Sequence, residues 1–232
     1  MEFVTQILRW IHFLAGITWI GLLYYFNFVQ TPFFGETDPA VRSGAIQKLV
    51  PRALWWFRWG AMFTFLAGIL MYLYEWVRQA DVFFVSPYGV SITVGGVLGI
   101  LMFLNVWLII WPCQKVVIAS AAQVAQGGQA IPEAAGRARR AALASRTNTL
   151  FSIPMLFFMG ASRHYPSLVG QPSGNAVATL FIIVAILIAA IELNCLVGTQ
   201  GATKKPLDSV SGTLWAGFLF WLVLILLFEI IL

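Results

Sequence analysis

The amino-acid sequence predicts an all-α fold, a polytopic helical bundle that crosses a membrane about six times. Hydrophobic residues make up 60% of the 232 residues and charged residues only 10%, whereas soluble domains carry about 25% charged residues. The mean hydropathy is +0.85, and the apolar residues fall in runs of the roughly 20 residues that a helix needs to cross the hydrocarbon core. We therefore expect a single domain, 1–232, embedded in the lipid bilayer.

Six apolar segments are the expected membrane spans. The first is too long and wrongly flanked to be a cleavable signal peptide. The fourth has the shortest apolar part and contains Pro154, which a membrane helix tolerates when neighbouring groups satisfy the freed carbonyl. The Ala- and Arg-rich stretch 134–146 is expected to continue this fourth helix at its N-terminal side. The expected spans are about 7–29, 54–76, 89–111, 147–165, 176–197 and 213–232.

The basic residues predict the orientation of these spans. Of the fourteen Lys and Arg residues, three fall on one side of the expected bundle and the others on the opposite side, and the side rich in Lys and Arg stays cytoplasmic. Both termini are therefore expected in the periplasm, in a bacterial inner membrane. The pI of about 9.5 reflects these loops, so we expect no nucleic-acid partner. The three periplasmic residues are Arg9, Arg78 and Arg163; the cytoplasmic ones are Arg42, Lys48, Arg52, Arg58, Lys115, Arg137, Arg139, Arg140, Arg146, Lys204 and Lys205.

Both histidines of the chain fall in the predicted periplasmic half. His12 lies in the first span and His164 ends the fourth. Neutral imidazole is a common ligand of haem iron, so two histidines at matching depth predict a bis-histidine haem b. The alternative is that each is an interfacial or hydrogen-bonded side chain without a cofactor.

Small and basic residues lie near both histidines. Gly16 is four residues after His12, and Gly160 is four residues before His164, so each glycine shares a helix face with its histidine. Small residues let a flat macrocycle approach the backbone, although they equally favour close helix packing. Arg9 and Arg163 are placed to pair with haem propionates or to anchor helix ends at lipid headgroups.

Other cofactors have less support. No HExxH motif or carboxylate–histidine cluster is present for a catalytic zinc, and Met155 and Met159 are better explained by core packing than as axial ligands. No CxxCH motif occurs, so any haem is expected to be non-covalent. Cys113 and Cys195 fall near the cytoplasmic side, where thiols stay reduced. The connection 112–146 contains QGGQAIP, which we expect to form a loop tip.

A second polar cluster is expected at the cytoplasmic end. Arg58 is flanked by Trp55, Trp56 and Trp59, and Glu192 falls at similar depth. One interpretation is a structural Arg58–Glu192 ion pair with amides between helices. The other is a pocket in which Arg58 holds an anionic or planar ligand, stacked on tryptophan. The amides of this zone are Asn27, Asn105, Gln114 and Asn148.

Four stretches carry a family resemblance: RWIHFLAGITWIGLLYYF, ALWWFRWGAMFTFLAGILMYLYEW, WPCQ and NTLFSIPMLFFMGASRHYP. In order, over about 7–166, they resemble the urate oxidase N-terminal family, the membrane domain of bacterial membrane-bound urate oxidases. The resemblance implies a membrane oxidoreductase that passes electrons to a C-terminal cytochrome c domain. Because these 232 residues contain no such domain, we expect a separate periplasmic cytochrome c or a larger respiratory complex to accept the electrons.

Three functions follow from these features. The leading one is a haem b redox protein that takes electrons from a small donor, with urate or quinol as candidates. The second is a non-catalytic accessory subunit of a respiratory or photosynthetic complex. A small-solute permease has less support, because the sequence shows no inverted repeat or paired broken helices.

Overall fold

The computed structural model describes residues 2–232, and the predicted all-α fold is confirmed, since no strand occurs in this range. The α-helices are α1 (Glu2–Tyr24), α2 (Thr31–Glu36), α3 (Pro39–Lys48), α4 (Val50–Gln79), α5 (Pro87–Leu104), α6 (Trp111–Ala125), α7 (Ala134–His164), α8 (Gly174–Leu196) and α9 (Val210–Ile231). Two π-helical segments, Tyr25–Gln30 and Asn105–Ile110, join α1 to α2 and α5 to α6. Short 3-10 segments cover Ala80–Val85, Pro166–Leu168 and Ala202–Asp208.

Five helical stretches are long and apolar enough to cross a membrane. They coincide with five of the six predicted spans. The first three stretches are much longer than predicted, because the predicted lengths were those needed to cross the hydrocarbon core alone. The stretches are Glu2–Glu36, Val50–Val85, Pro87–Ala125, Gly174–Leu196 and Val210–Ile231.

The helix α7 contains the remaining predicted span. Its 31 residues form one continuous helix, as predicted for 134–146 and 147–165 together. It packs against α5, α6, α8 and α9, and many of its residues from Ala141 to Ser162 are buried. These neighbours shield the polar residues of α7 from lipid, where exposing them would be costly.

Three buried hydroxyl groups of α7 donate to carbonyls of the same helix, whereas Thr147 Oγ1 is buried without a hydrogen-bond partner in the described chain. Thr149 Oγ1 donates to the Ser145 carbonyl at 3.1 Å, and Ser152 Oγ donates to the Thr149 carbonyl at 2.7 Å. Ser162 Oγ makes the same kind of bond to the Met159 carbonyl at 2.8 Å. These local bonds remove the cost of burying the hydroxyls without water.

Pro154 lies inside α7 and removes the N–H that would bond the Leu150 carbonyl. The helix α9 approaches α7 at this turn through Gly217. A β-carbon on Gly217 would lie 3.0 Å from the Leu150 carbonyl oxygen and 2.5 Å from Ile153 Cδ1. Glycine at 217 is therefore required for the close approach of α9 to α7.

The connection predicted over 112–146 is mostly helical. The helix α6 continues to Ala125 and α7 begins at Ala134, so the non-helical part is confined to 126–133. This part includes the QGGQ sequence, where Gly127 has a φ of 83°. The loop tip is where the sequence indicated it, but the long connection around it is an extension of two helices.

Candidate functional site

His12 lies at the interface between α1 and α4. Its Nδ1 is 2.8 Å from the Thr64 carbonyl oxygen, and because a carbonyl only accepts, Nδ1 carries the proton and donates it. The ring sits against Gly68, where a β-carbon would lie 3.0 Å from His12 Cε1 and 3.2 Å from Nδ1. The other nitrogen, Nε2, makes no hydrogen bond with the rest of the described chain.

This arrangement fits both interpretations of His12, as a metal ligand and as a hydrogen-bonded side chain without a cofactor. A histidine that ligates a metal donates its second ring N–H to a carbonyl or carboxylate, which fixes the tautomer and the orientation of the ring. The Thr64 carbonyl and the space at Gly68 provide both conditions for His12. The sequence analysis did not identify Gly68. A glycine inside an apolar span can indicate a close approach of another group, and this was the signal that could have found it.

His164 is the last residue of α7 and is exposed. The hydrogen bond between Tyr24 Oη and Ser152 Oγ, 2.8 Å long, connects α1 and α7. A second contact, from Asn27 Nδ2 to Ser145 Oγ at 2.8 Å, shows that the two helices run antiparallel. His12 and His164 each lie twelve residues from the Tyr24–Ser152 contact in the same direction along the bundle, which corresponds to about 18 Å of helix. The two imidazoles therefore lie at the same end of the bundle, although no hydrogen bond joins them within residues 2–232.

Two imidazoles near one end of a bundle are the nitrogen donors that a bis-histidine haem would use. Within residues 2–232 there is no group of three or more His, Cys, Asp or Glu side chains that could hold a metal ion. Cys113 and Cys195 are buried free thiols.

The two glycines near the histidines have different surroundings. A β-carbon on Gly16 would lie 3.8 Å from Thr64 Cγ2, so Gly16 faces α4. A β-carbon on Gly160 would have no neighbour within 4 Å. Gly160 thus presents open space to an incoming group, whereas Gly16 contributes to the packing of α1 on α4.

Both arginines near the histidines already have protein partners. Arg9 donates to Gln6 Oε1 at 3.1 Å. Arg163 lies 3.3 Å from Glu75 Oε1, and its Cζ lies 4.3 Å from the centroid of the Tyr88 ring. A propionate role for Arg163 would have to compete with this ion pair and this ring contact.

Arg58 is enclosed by aromatic rings rather than paired with a carboxylate. Its Cζ lies 3.9 Å from the Trp111 ring centroid, 5.2 Å from that of Trp107 and 5.9 Å from that of Trp59. Its Nε is buried without a hydrogen-bond partner in the described part of the chain. Trp111 already covers one face of the guanidinium. A ligand could therefore contact less of the Arg58 guanidinium than the predicted pocket requires.

Trp55 and Trp56, which the sequence placed beside Arg58, are 48% and 59% exposed. Their rings contact each other with centroids 4.9 Å apart, and Trp55 also lies 6.4 Å from Trp59. Only Trp59 of the three is both predicted and observed beside Arg58. Trp107 and Trp111 were missed, because their proximity depends on how α4 packs against the third helical stretch.

Glu192 belongs to a separate buried network. Asn105 Nδ2 donates to Glu192 Oε2 at 3.2 Å and to Asn148 Oδ1 at 2.9 Å. Asn148 Nδ2 in turn donates to the Met102 carbonyl at 2.9 Å. The expected Arg58–Glu192 ion pair does not occur among the ion pairs of residues 2–232, since the Asn105 amide bonds Glu192 and aromatic rings surround Arg58.

Each π-helical segment ends two residues before a proline, Pro32 or Pro112. Proline lacks the N–H of a regular helix and clashes with the carbonyl four residues earlier, so the preceding turn widens. Thr31 Oγ1 donates to the Phe26 carbonyl at 2.7 Å and satisfies a group in the first widened turn. Single π-helical turns are frequent at functional sites.

A cavity of about 260 Å³ lies where these two segments meet α4 and α7. Its polar wall contains amides and charged groups, and its apolar wall includes the first turns of α4 and three alanines of α7. We call it the Arg146 cavity. The residues that line it are Phe26, Asn27, Gln30, Thr31, Val50, Leu54, Phe57, Ile110, Gln114, Ala138, Arg139, Ala141, Ala142, Ser145, Arg146, Leu207 and Asp208.

Five long apolar helical stretches, together with the mostly buried α7, are consistent with the class of multi-pass α-helical membrane proteins. The sequence model described as urate oxidase N-terminal matches residues 84–222, which is more than half of the chain. The chain belongs to this family, and the predicted family is confirmed. The match includes His164 and continues past residue 166, where the predicted range ends. It begins after α1 and α4, the helices that hold His12 and Gly68, so it does not cover the N-terminal part of the predicted range 7–166.

Comparison with curated proteins gives no match. Comparison with solved structures gives none either.

Proposed function

We propose that this member of the urate oxidase N-terminal family is a haem b redox protein of the bacterial inner membrane. It would take electrons from a small donor, with urate as the first candidate, and pass them to a periplasmic cytochrome c. The observation that carries the proposal is the geometry of His12, whose Nδ1 donates to the Thr64 carbonyl at 2.8 Å while Nε2 stays unbonded. A haem held there would supply a one-electron carrier.

The residues at this end of the bundle have distinct roles in the proposal. His12 and His164 would hold the haem iron, and the Thr64 carbonyl keeps the His12 ring in the tautomer that leaves Nε2 free to bind it. The open surface at Gly160 admits the macrocycle. Arg9, which is exposed and bonded only to Gln6 among the described residues, is better placed than Arg163 to pair with a propionate.

The proposed topology has α7 as the fourth of six spans and both termini in the periplasm. It is supported by contacts that bring the basic connections to one end of the bundle. Arg139 of α7 pairs with Asp208 at 2.7 Å, just before α9. Arg140 donates to the Leu196 carbonyl at the end of α8, at 2.9 Å. The excess of Lys and Arg at this end favours the cytoplasm.

The first test is a reduced-minus-oxidised visible spectrum of the purified protein, made in haem-replete cells. We expect a sharp α-band in the parent protein and its loss in both His12→Ala and His164→Ala. Thr64→Ala is the matched control, because it keeps the backbone carbonyl that bonds His12 and should keep the band.

A featureless spectrum of the folded parent protein would contradict the proposal and favour the accessory-subunit interpretation. A band that survives in His164→Ala but not in His12→Ala would leave His12 as a ligand and require another sixth ligand.

A further inference from the structure

Arg58 and Lys115 lie over the same tryptophan ring, and neither has an acidic partner. The Arg58 Cζ is 3.9 Å from the centroid of the Trp111 ring, and the Lys115 Nζ is 5.7 Å from the same centroid. Neither residue takes part in an ion pair within residues 2–232. Since both distances end at one ring, the two positive charges are near neighbours, and no carboxylate of the described chain neutralises them.

The rings around Arg58 leave its N–H groups without acceptors. A ring contacts a cation through its face, whereas the N–H groups of arginine point outwards in the plane of the guanidinium, and tryptophan only donates. Arg58 makes no side-chain hydrogen bond within residues 2–232. Of its three side-chain nitrogens only Nε is enclosed, so both Nη groups keep accessible surface for an acceptor from outside the chain.

The exposed side of this pair lies at the expected level of a membrane–water interface. Arg58 comes about two turns after the start of α4, and Lys115 is an exposed residue of the first turns of α6. Both helices belong to stretches that are long and apolar enough to cross a membrane. Trp55 and Trp56, just before Arg58, are exposed, as is typical of tryptophan at the headgroup level. The acceptor nearest to hand is therefore a lipid headgroup.

We infer that Arg58 and Lys115 bind the phosphate of an anionic phospholipid. The phosphate oxygens accept from the Nη groups of Arg58, and Lys115 Nζ supplies the second positive charge. Basic sites between membrane helices are known to hold anionic headgroups. The phosphate meets the edge of the guanidinium, so it does not compete with Trp111 for its face. The inference rests on the proposed embedding of the chain in a membrane, but not on the proposed haem.

Binding can be measured by native mass spectrometry of the delipidated full chain in detergent, titrated with phosphatidylglycerol and with phosphatidylcholine of the same acyl chains. The first lipid is anionic and the second is zwitterionic, so the comparison isolates the net charge of the headgroup. We expect phosphatidylglycerol to bind at least about fivefold more tightly. Arg58→Gln and Lys115→Gln should each weaken its binding by about fivefold or more, because each removes one of the two cations.

Lys205→Gln is the matched control, because Lys205 is another exposed lysine that makes no ion pair in the described chain. It should keep the affinity of the parent protein for phosphatidylglycerol. If Arg58→Gln does not fold, as judged by its thermal unfolding, Lys115→Gln carries the test from an exposed position. An excess of inorganic phosphate should not displace the lipid, which distinguishes a lipid site from a site for free phosphate.

Equal affinity for the two lipids, unchanged affinity in Lys115→Gln, or the same loss in Lys205→Gln would each overturn the inference. Displacement of the lipid by inorganic phosphate would also overturn it. Flotation of the protein with phosphatidylglycerol vesicles tests the embedding separately. A folded protein that does not float would contradict the embedding and the inference together, whereas a floating protein with equal affinities would contradict the inference alone.

Discussion

Gly68→Val is expected to lower haem retention by about 10- to 100-fold, the usual effect of disturbing the second shell of a metal site. A β-carbon at position 68 would lie 3.0 Å from His12 Cε1 and 3.2 Å from Nδ1. The clash falls on a side chain that can rotate away, so the helices can stay packed while the imidazole loses its bond to the Thr64 carbonyl. Haem content per chain, measured as pyridine haemochrome after purification, checks the expectation.

Gly96→Val is the matched control, because a β-carbon on Gly96 would have no neighbour within 4 Å. It places the same side chain in another apolar helix without touching a histidine, and should keep the haem content of the parent. Equal haem content in Gly68→Val and Gly96→Val would show that the position of the His12 ring does not matter for the cofactor.

Asn148→Leu is expected to cause the largest loss of stability. Its side chain joins Asn105 to the Met102 carbonyl through bonds of 2.9 Å each, and it is fully buried. Leucine removes both bonds, at about 1–3 kcal/mol for each polar group left without a partner, and Asn105 keeps only its bond to Glu192 Oε2 at 3.2 Å. Thermal unfolding in detergent should show a clear fall in the midpoint temperature.

Asn175→Leu provides the comparison for this loss. Asn175 is exposed at the start of α8, and only its backbone carbonyl accepts a hydrogen bond, from Thr179 Oγ1 at 2.9 Å. Its unfolding midpoint should stay close to that of the parent protein. A midpoint for Asn148→Leu as high as that of Asn175→Leu would mean that the Asn105–Asn148–Glu192 network contributes little to stability.

The spans could be predicted from the sequence because each apolar run has to match the thickness of a bilayer. The ends of the helices could not be predicted in this way, since a helix can continue beyond the hydrocarbon core of the bilayer for as long as its residues favour helix. The stretch 112–125 continues a span as α6, and Ala134 begins α7 well before its apolar part. Composition also could not show that α7 lies at the centre, because its polar residues resemble those of a connecting segment.

The candidate site was predictable only in part. The two histidines stand out because the chain has no others, but the Thr64 carbonyl and Gly68 lie opposite His12 through the rotation of α1 against α4, which no local pattern encodes. Arg58 was identified, yet its closest ring is Trp111, 53 positions away in the sequence. Pro32 and Pro112 were available signals for the widened turns beside the Arg146 cavity.

The most direct test of the proposed haem ligation is the reduced-minus-oxidised spectrum of His12→Gly, with and without added imidazole. The glycine opens a space at the ring position of His12, and free imidazole can occupy it as a replacement ligand. We predict that the α-band is lost in His12→Gly and returns as imidazole is added. A folded His12→Gly protein that keeps the parent spectrum without imidazole would contradict ligation by His12.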